Sequence, residues 1–352
     1  MANIAELKNR ISRIKKILSK KKTDALFLHY NGEAGNTTQA NIFYFTGIWF
    51  LEPVILIISN PLSQKAQDCL CASFPVEGKT PFEVKKLTKK MVLFENKKIK
   101  IGIDEGFSFA SYKKLKAKYK SIEFEDITAD IFKLRSIKSD EEIKSIKTAC
   151  GLQREIISDL EKQSKGLFGL KERQLQKKID IAILEYECTN AFDTLAAADE
   201  NAGFIHHLPS DYIAKKCIML DFGLNFNHYN SDMTRMFFSS QADASMRKAY
   251  SALEELQDMM DEFIKPGISF GKITDIAVSF LEKNYSKSSF SNFHSLGHGI
   301  GIQVHEYPSY AEACKVEENM VFTIEPGIYV KGKFGVRLED VVVMRKRRIE
   351  RL

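Results

Sequence analysis

The chain opens with apolar residues at helical spacing and then changes to short apolar runs that are typical of strands. The apolar positions of the first segment are Ile4, Leu7, Ile11, Ile14 and Leu18. Their recurrence every three or four residues predicts an amphipathic helix. Runs rich in β-branched and aromatic residues predict strands at 24–30, 41–48, 53–59 and 99–105. A lysine-rich helix is predicted over 106–122. We therefore predict an α/β domain over residues 1–133.

The rest of the chain, residues 134–352, shows one order of elements twice. Ser139 followed by three acidic residues is typical of a helix start. The predicted elements are helices at 139–163 and 171–187, a strand at 192–198, a hairpin at 217–238, helices at 243–264 and 270–284, and strands at 320–330 and 335–344. The repeated order of two helices and a hairpin predicts a second domain in which the two hairpins face each other.

Composition and charge narrow the class of protein. With 352 residues, 44% of them hydrophobic and 28% charged, the chain is typical of a globular protein of two domains. No apolar run is long enough for a membrane span, and no secretory signal is evident, so we expect a cytoplasmic protein without a membrane partner. The six scattered cysteines fit reduced thiols. The net charge of +6 comes from dispersed lysines without a nucleic-acid motif, so no nucleic-acid partner is expected.

Four carboxylates and one imidazole of the second domain form a candidate metal site. They are Asp221, Asp232, His298, Glu325 and Glu339, in the segments IMLDFG, YNSDMTR, HSLGHGIG, TIEPGIY and VRLED. A carboxylate in apolar surroundings is costly to bury without a partner, which indicates a shared cation. An oxygen-rich set with one histidine favours Mn²⁺, Fe²⁺, Co²⁺ or Zn²⁺. So many anionic ligands suit two bridged ions better than one, an arrangement that serves hydrolases.

Each of these residues has an ordinary structural explanation when it is taken alone. Asp221, Asp232 and Glu325 could be turn or strand-end residues, and Glu339 could pair with Arg337 at a strand end. The prediction depends on the whole set. It gains support from the histidines, because six of the seven lie between positions 206 and 305.

The motifs D-x-G, Y-x-S-D-x-T-R, H-x-x-x-H-G-x-G, V-H-E, T-I-E-P-G-I-Y and V-R-L-E-D together resemble those of the pita-bread metallopeptidases. This family includes methionine aminopeptidase, aminopeptidase P and prolidase, and the chain is most similar to the last two. YFTG at 44–47 and LRSIKSDEEI at 134–143 resemble the family's creatinase-like N-terminal domain and its connection. The resemblance implies a creatinase-like α/β domain followed by a pita-bread domain with pseudo-twofold halves.

The resemblance also implies how the five ligands divide between two ions. Asp221 would bind one ion, and Asp232 and Glu339 would bridge both. His298 and Glu325 would complete the second, and Glu325 would also carry protons. Mn²⁺ is the metal we expect, with Co²⁺, Zn²⁺ and Fe²⁺ as alternatives.

Four further residues receive roles from the same resemblance. His206 and His305 would act in substrate binding and catalysis, with His305 next to the reacting carbonyl or the leaving nitrogen. Arg337 would contact a substrate carboxylate or hold the active-site network. His294 would line the pocket or orient His298.

The implied activity is hydrolysis of the peptide bond before proline in small peptides, assisted by two metal ions. The chain would release the N-terminal residue of Xaa-Pro peptides as an aminopeptidase, or it would be a strict Xaa-Pro dipeptidase. A non-catalytic peptide-binding module and a metal-free amidinohydrolase similar to creatinase are further alternatives, which the retained ligand set disfavours. A homodimer is expected because relatives often form one.

One segment departs from the family pattern. The loop that often reads V-A-S-G-x-N-A-x-x-P-H is LAAADENAGFIHH at 195–207. Asn201 and His206 match, but Ala198 and Asp199 replace a Ser-Gly pair, and Ile205 replaces proline. No metal ligand is lost, so we expect the change to affect substrate fit more than metal binding.

Overall fold

The computed structural model of the protein describes residues 2–33, 37–88, 91–94, 98–284, 295–310 and 313–352. The chain divides into two compact units, Met1–Arg135 and Ser136–Leu352. Within the described residues, no helix has the length and apolar character that a bilayer crossing requires.

The first unit is built on a six-stranded mixed sheet. Its strands are β1 (Ala25–Tyr30), β2 (Val54–Ser59), β3 (Cys69–Ala72), β4 (Val84–Lys86), β5 (Lys98–Ile103) and β6 (Ser121–Asp126). They lie in the order β4-β3-β2-β1-β5-β6, with β1, β2 and β3 antiparallel and the other neighbours parallel. The helices are α1 (Ile4–Lys21), α2 (Thr37–Thr46), α3 (Phe109–Lys118) and α4 (Thr128–Ser136). The amphipathic first helix and the strands at 24–30, 53–59 and 99–105 are confirmed.

The strand predicted at 41–48 is wrong, because this segment belongs to helix α2. All residues from Thr38 to Thr46 are buried, so the helix has no polar face to give the sequence a helical period. Thr38 Oγ1 and Asn41 Nδ2 both donate to the buried carboxylate of Asp104, at 2.8 Å each. Tertiary packing and these buried hydrogen bonds override the strand preference of the aromatic residues.

The second unit contains the repeated order of elements. Its helices are α5 (Asp140–Lys162), α6 (Ser164–Leu167), α7 (Glu172–Glu185), α8 (Ala244–Phe263) and α9 (Phe270–Asn284). Its strands are β7 (Thr189–Asn190), β8 (Leu195–Ala198), β9 (Cys217–Phe222), β10 (Leu224–Phe226), β11 (Tyr229–Asn230), β12 (Met233–Phe238), β13 (His298–Gly299), β14 (Glu306–Ser309), β15 (Val321–Ile324), β16 (Gly327–Val330), β17 (Phe334–Arg337), β18 (Asp340–Arg345) and β19 (Arg348–Arg351). Helix α5 begins with the capping box that Ser139 and Glu142 predict.

Strand β9 is buried on both faces. Cys217 and Met219 belong to the core that includes α8 and α9, whereas Ile218 and Leu220 belong to the core of α5 and α7. Alternate side chains of a strand point to opposite faces. The pattern places Asp221 on the same face as Cys217 and Met219, away from the core of α5 and α7.

The predicted single strand at 320–330 is interrupted. β15 ends at Ile324, and β16 begins at Gly327 and pairs with β17, while β15 pairs with β18. Pro326 lacks the N–H that a continuous strand would need. The break lies at Glu325, so this carboxylate is located where the chain passes from the sheet of β15 to the sheet of β16.

Candidate metal centre and active site

The first hairpin holds Asp221 and Asp232 at neighbouring positions. β9 and β12 are antiparallel, and Asp221 faces Thr234 across the pair, while Asp232 lies directly before β12. Gly223 allows the two strands to approach each other closely, because an added Cβ would collide with the Ser231 carbonyl oxygen. The YNSDMTR motif is therefore one edge of a tight hairpin that presents two carboxylates.

The second hairpin presents Glu325 and Glu339 in the same way. Ile324 faces Asp340 in the β15–β18 pair, so the two glutamates lie directly beyond the last paired residues. Thr234 joins the hairpins, since its Oγ1 donates to Glu339 Oε2 at 2.7 Å and its carbonyl accepts from Glu339 N at 3.3 Å. The four carboxylates are therefore brought together by two hairpins that are hydrogen-bonded to each other.

His298 directs one ring nitrogen into the carboxylate cluster. Its backbone N donates to Thr323 Oγ1 at 3.0 Å, and its Nδ1 lies 3.1 Å from the Gly299 carbonyl oxygen. A carbonyl oxygen only accepts, so Nδ1 carries a proton, and in the neutral ring Nε2 then holds the lone pair. Nε2 lies 3.5 Å from Asp232 Oδ2 and 3.4 Å from Glu325 Oε1. This tautomer is the one that a metal ion on Nε2 requires.

The cluster has more negative than positive charge. Burial and the nearby Asp221 and Glu325 raise the pKa of Asp232 well above its usual value. Burial and the carboxylate of Asp232 do the same for Glu339. Burial and Glu339 raise the pKa of Glu325 to about 8. Like charges held close together resist simultaneous ionisation unless a cation lies among them.

The donor set fits a divalent ion. Asp232, His298 and Glu339 each offer a ligand atom, and the three atoms lie within 4.8 Å of one another. Oδ1 of Asp221 and Oδ1 of Asp232 are buried, and neither has a hydrogen-bond partner among the described residues. Buried oxygens of this kind are costly unless they coordinate something.

Arg337 is fully buried beneath the carboxylates. Its Nε donates to Thr234 Oγ1 at 2.8 Å, its Nη1 donates to Tyr329 Oη at 2.9 Å, and its Nη2 pairs with Asp221. Every nitrogen of the guanidinium is therefore engaged inside the protein. Of the two roles predicted for Arg337, this geometry supports the holding of the active-site network.

Three of the predicted histidines, His206, His298 and His305, line one cavity of about 680 Å³. Its lining includes the five candidate ligands together with His206, His305 and Arg337. The rings of His298 and His305 are 4.3 Å apart between centroids. Burial, with smaller contributions from His298 and His206, lowers the pKa of His305 to about 4, so this imidazole is neutral at neutral pH. His294, also predicted at the site, lies outside the described residues.

Sequence reasoning missed the residues that support the departing loop. Asp199 adopts φ +53°, a left-handed conformation that suits the glycine of the family pattern. Its carboxylate accepts from the backbone N–H groups of Lys215, Lys216 and Cys217, at 2.7 to 3.1 Å. Asparagine and aspartate adopt this backbone conformation more readily than other residues with side chains. An aspartate at the position of the family's glycine was therefore the sequence signal that the left-handed conformation is kept.

The repeated hairpins, the carboxylate cluster and the cavity are together the structural features of a metal-dependent hydrolase. The chain belongs to metallopeptidase family M24, whose model matches residues 144–346. The model of the creatinase/prolidase N-terminal domain matches residues 10–137. The predicted family and the predicted fold class, a creatinase-like domain followed by a pita-bread domain, are confirmed.

Several relatives resemble the chain over nearly its whole length. An Xaa-Pro dipeptidase of Pyrococcus furiosus is 28% identical over 98% of both chains. The crystal structure of a prolidase from Pyrococcus horikoshii has a TM-score of 0.84 at 26% identity and covers 97% of each chain. An X-Pro aminopeptidase from Thermotoga maritima has a TM-score of 0.80 at 25% identity, covering 95% of this chain and 96% of its own. Similar relatives thus carry the names of both activities.

Proposed function

We propose that the protein hydrolyses the peptide bond before proline and releases the N-terminal residue of Xaa-Pro peptides. The observation that carries this proposal is the convergence of Asp221, Asp232, His298, Glu325 and Glu339 at one cavity. The non-catalytic alternative would not need buried carboxylate oxygens without hydrogen-bond partners among the described residues, as at Asp221 and Asp232. Membership in a metallopeptidase family supports the same conclusion.

The five ligands would hold two divalent ions. We propose Mn²⁺ as the preferred metal. Asp232 and Glu339 would be shared between the ions, Asp221 would serve one, and His298 and Glu325 the other. Such ions lower the pKa of a bound water and polarise a carbonyl.

The protein's own groups would orient the peptide and move its protons. Glu325 is buried and lines the cavity, where a carboxylate can accept a proton and return it. His305 is neutral, so it can offer one N–H to a developing oxyanion or one lone pair to a proton. Arg337 would hold Asp221 and Tyr329 in place rather than bind substrate.

The charge of the cavity favours the aminopeptidase over the dipeptidase. A dipeptidase must bind the free carboxylate of the product proline close to the reacting bond. Among the described residues that line the cavity, Arg337 is the one with a permanent positive charge, and each of its nitrogens already donates within the protein. A longer Xaa-Pro-Yaa peptide carries no carboxylate at that position.

The dipeptidase remains a second candidate because the Pyrococcus relatives that match nearly the whole chain carry that name. A homodimer, a cytoplasmic location and a domain boundary between residues 133 and 134 are further parts of the proposal.

The test is a comparison of peptide lengths. Protein treated with a chelator and then loaded with Mn²⁺ is incubated with Phe-Pro-Ala, Phe-Pro and Phe-Ala-Ala, and the released amino acids are measured by chromatography. We expect release of phenylalanine from Phe-Pro-Ala, at least about tenfold slower turnover of Phe-Pro, and little from Phe-Ala-Ala. Faster turnover of Phe-Pro would replace the aminopeptidase by the dipeptidase. Turnover that persists in excess chelator, or no turnover of any peptide, would overturn the metallopeptidase mechanism.

A further inference from the structure

We propose that Glu172 is a positioning residue for substrate binding, whose buried carboxylate fixes the segment 198–210 and holds His207 as the Nε2–H tautomer. This inference rests on the proposed function, because the segment carries His206 and His207 into the cavity of the candidate active site. Glu172 itself is not among the described residues that line that cavity.

Glu172 is the first residue of helix α7, and its side chain is fully buried. One carboxylate oxygen, Oε1, accepts from the backbone N of Ala198 at 2.8 Å and from Asn201 Nδ2 at 3.0 Å. The other, Oε2, accepts from the backbone N and the Oγ of Ser210, at 2.9 and 2.6 Å. One carboxylate therefore fastens both ends of the segment 198–210.

The backbone at the start of α7 strengthens the same attachment. The N–H of Glu172 donates to the Tyr212 carbonyl at 3.0 Å, and that of Arg173 donates to the Ser210 carbonyl at 3.1 Å. The segment between the two attachment points includes the 3₁₀ turn Asp199–Gly203 and the histidines. A loop held at both ends by a rigid helix presents its side chains in one geometry, which lowers the entropic cost of binding a substrate.

The carboxylate also determines the protonation of His207. Nε2 of His207 lies 2.8 Å from Glu172 Oε2. Burial raises the pKa of Glu172, but hydrogen bonds from Ser210, His207 and Asn201 outweigh it and hold the pKa below its usual value. An ionised carboxylate only accepts hydrogen bonds, so Nε2 of His207 must carry a proton. In the neutral ring, Nδ1 is then the acceptor.

The first test is Glu172→Gln in the Mn²⁺-loaded protein. A glutamine side chain has one acceptor and one donor group, so it cannot accept all of these hydrogen bonds. Because the five candidate metal ligands lie on other elements, we expect the KM for Phe-Pro-Ala to rise about tenfold, with kcat changed less than about threefold and Mn²⁺ affinity unchanged. Glu185→Gln, at the exposed end of the same helix, is the matched control and should leave all three unchanged.

Ser210→Ala is a milder variant in case the glutamine protein does not fold. It removes the hydroxyl donor at 2.6 Å and keeps the carboxylate, so KM should rise about threefold. Parallel losses of thermal stability, kcat and Mn²⁺ affinity in both variants would show a purely structural role and overturn the proposal. An unchanged KM in folded Glu172→Gln would overturn it as well.

A second readout does not depend on activity. The ¹⁵N spectrum of histidine-labelled protein should show one ring as the Nε2–H tautomer that disappears in His207→Gln and changes its tautomer in Glu172→Gln. Finding His207 as the Nδ1–H tautomer in the unchanged protein would overturn the proposal. If the unchanged protein hydrolyses no peptide, the proposed function fails, and this spectrum still decides whether Glu172 holds His207 as the Nε2–H tautomer.

Discussion

At the scale of single residues, the candidate site is defined by an excess of negative charge. Asp221, Asp232, Glu325 and Glu339 are opposed by the guanidinium of Arg337, which is paired with Asp221. His298 adds a lone pair rather than a charge when it is neutral. Without metal ions, part of the cluster must take up protons, and this protonation couples the stability of the fold to pH.

The metal-free protein should lose stability as the pH rises. The pKa of Glu325 is about 8 in the folded protein, against 4.5 for an unperturbed glutamate. The folded state therefore holds a proton that the unfolded state releases between these values. The stabilisation is complete below about pH 4.5 and is lost as the pH rises through 8, a change of roughly 5 kcal/mol. Thermal unfolding in excess chelator should give a lower Tm at pH 9 than at pH 5.

Glu325→Gln removes the ionisation and should raise the metal-free Tm at pH 9 by about 5 °C or more, with little effect at pH 5. Glu318→Gln, an exposed neighbour in sequence, should behave as the unchanged protein. A metal-free Tm that is flat or rises between pH 5 and 9 in the unchanged protein would contradict this account.

The chemical type of the ligands could be predicted from sequence because each carboxylate stands beside apolar residues or glycine, where a charge without a partner is unfavourable. Glu172 and Asp199 could not be found in this way. Glu172 is the first residue of an ordinary amphipathic helix, and the four residues that hydrogen-bond to its carboxylate, from Ala198 to Ser210, are distant in sequence. A residue whose role depends on long-range contacts leaves no local pattern.

At the scale of elements, the site depends on the contact between the two hairpins. Thr234 of β12 donates to Glu339 before β18 and accepts from Arg337 at the end of β17. One hydroxyl therefore ties three strands of both halves together. Both partners are nearly fully buried, so losing the hydroxyl removes one buried hydrogen bond from each of them.

Thr234→Val keeps the shape of the side chain and removes its hydroxyl. We expect a loss of about 2–4 kcal/mol in the free energy of unfolding in urea, together with weaker Mn²⁺ binding. Thr234→Ser keeps the hydroxyl and should stay within about 1 kcal/mol of the unchanged protein. Equal effects of valine and serine would mean that packing of the methyl group, rather than the hydrogen bonds, matters at this position.

The regular spacing of apolar residues along the sequence predicts those helices and strands that have one exposed face. Helix α1 was predicted for this reason, whereas β1, β2 and β5 were predicted from their runs of β-branched and aromatic residues. Helix α2 is buried on every side, so its sequence has no helical period, and its aromatic residues indicated a strand. The strand at 320–330 was predicted to run through Pro326, and the missing N–H divides it.

At the scale of the whole chain, the order of two helices and a hairpin occurs twice in the second unit, and each half supplies two carboxylates. The repeat was visible in the sequence because helix and strand periods alternate in the same order in both halves. The contacts by which the two hairpins meet were not visible in the sequence, because the hydrogen bonds of Thr234 with Glu339 and Arg337 join residues about a hundred positions apart. Family membership adds the chemistry of a metallopeptidase to this arrangement.

The central claim is that Asp221, Asp232, His298, Glu325 and Glu339 hold two divalent ions. Anomalous diffraction from crystals soaked in Mn²⁺ and measured at the manganese edge tests it without any assay of turnover. We predict two anomalous peaks about 3.5–4 Å apart, both within coordination distance of carboxylates of this set. A single peak at saturating Mn²⁺, or peaks that lie away from these five side chains, would contradict the account.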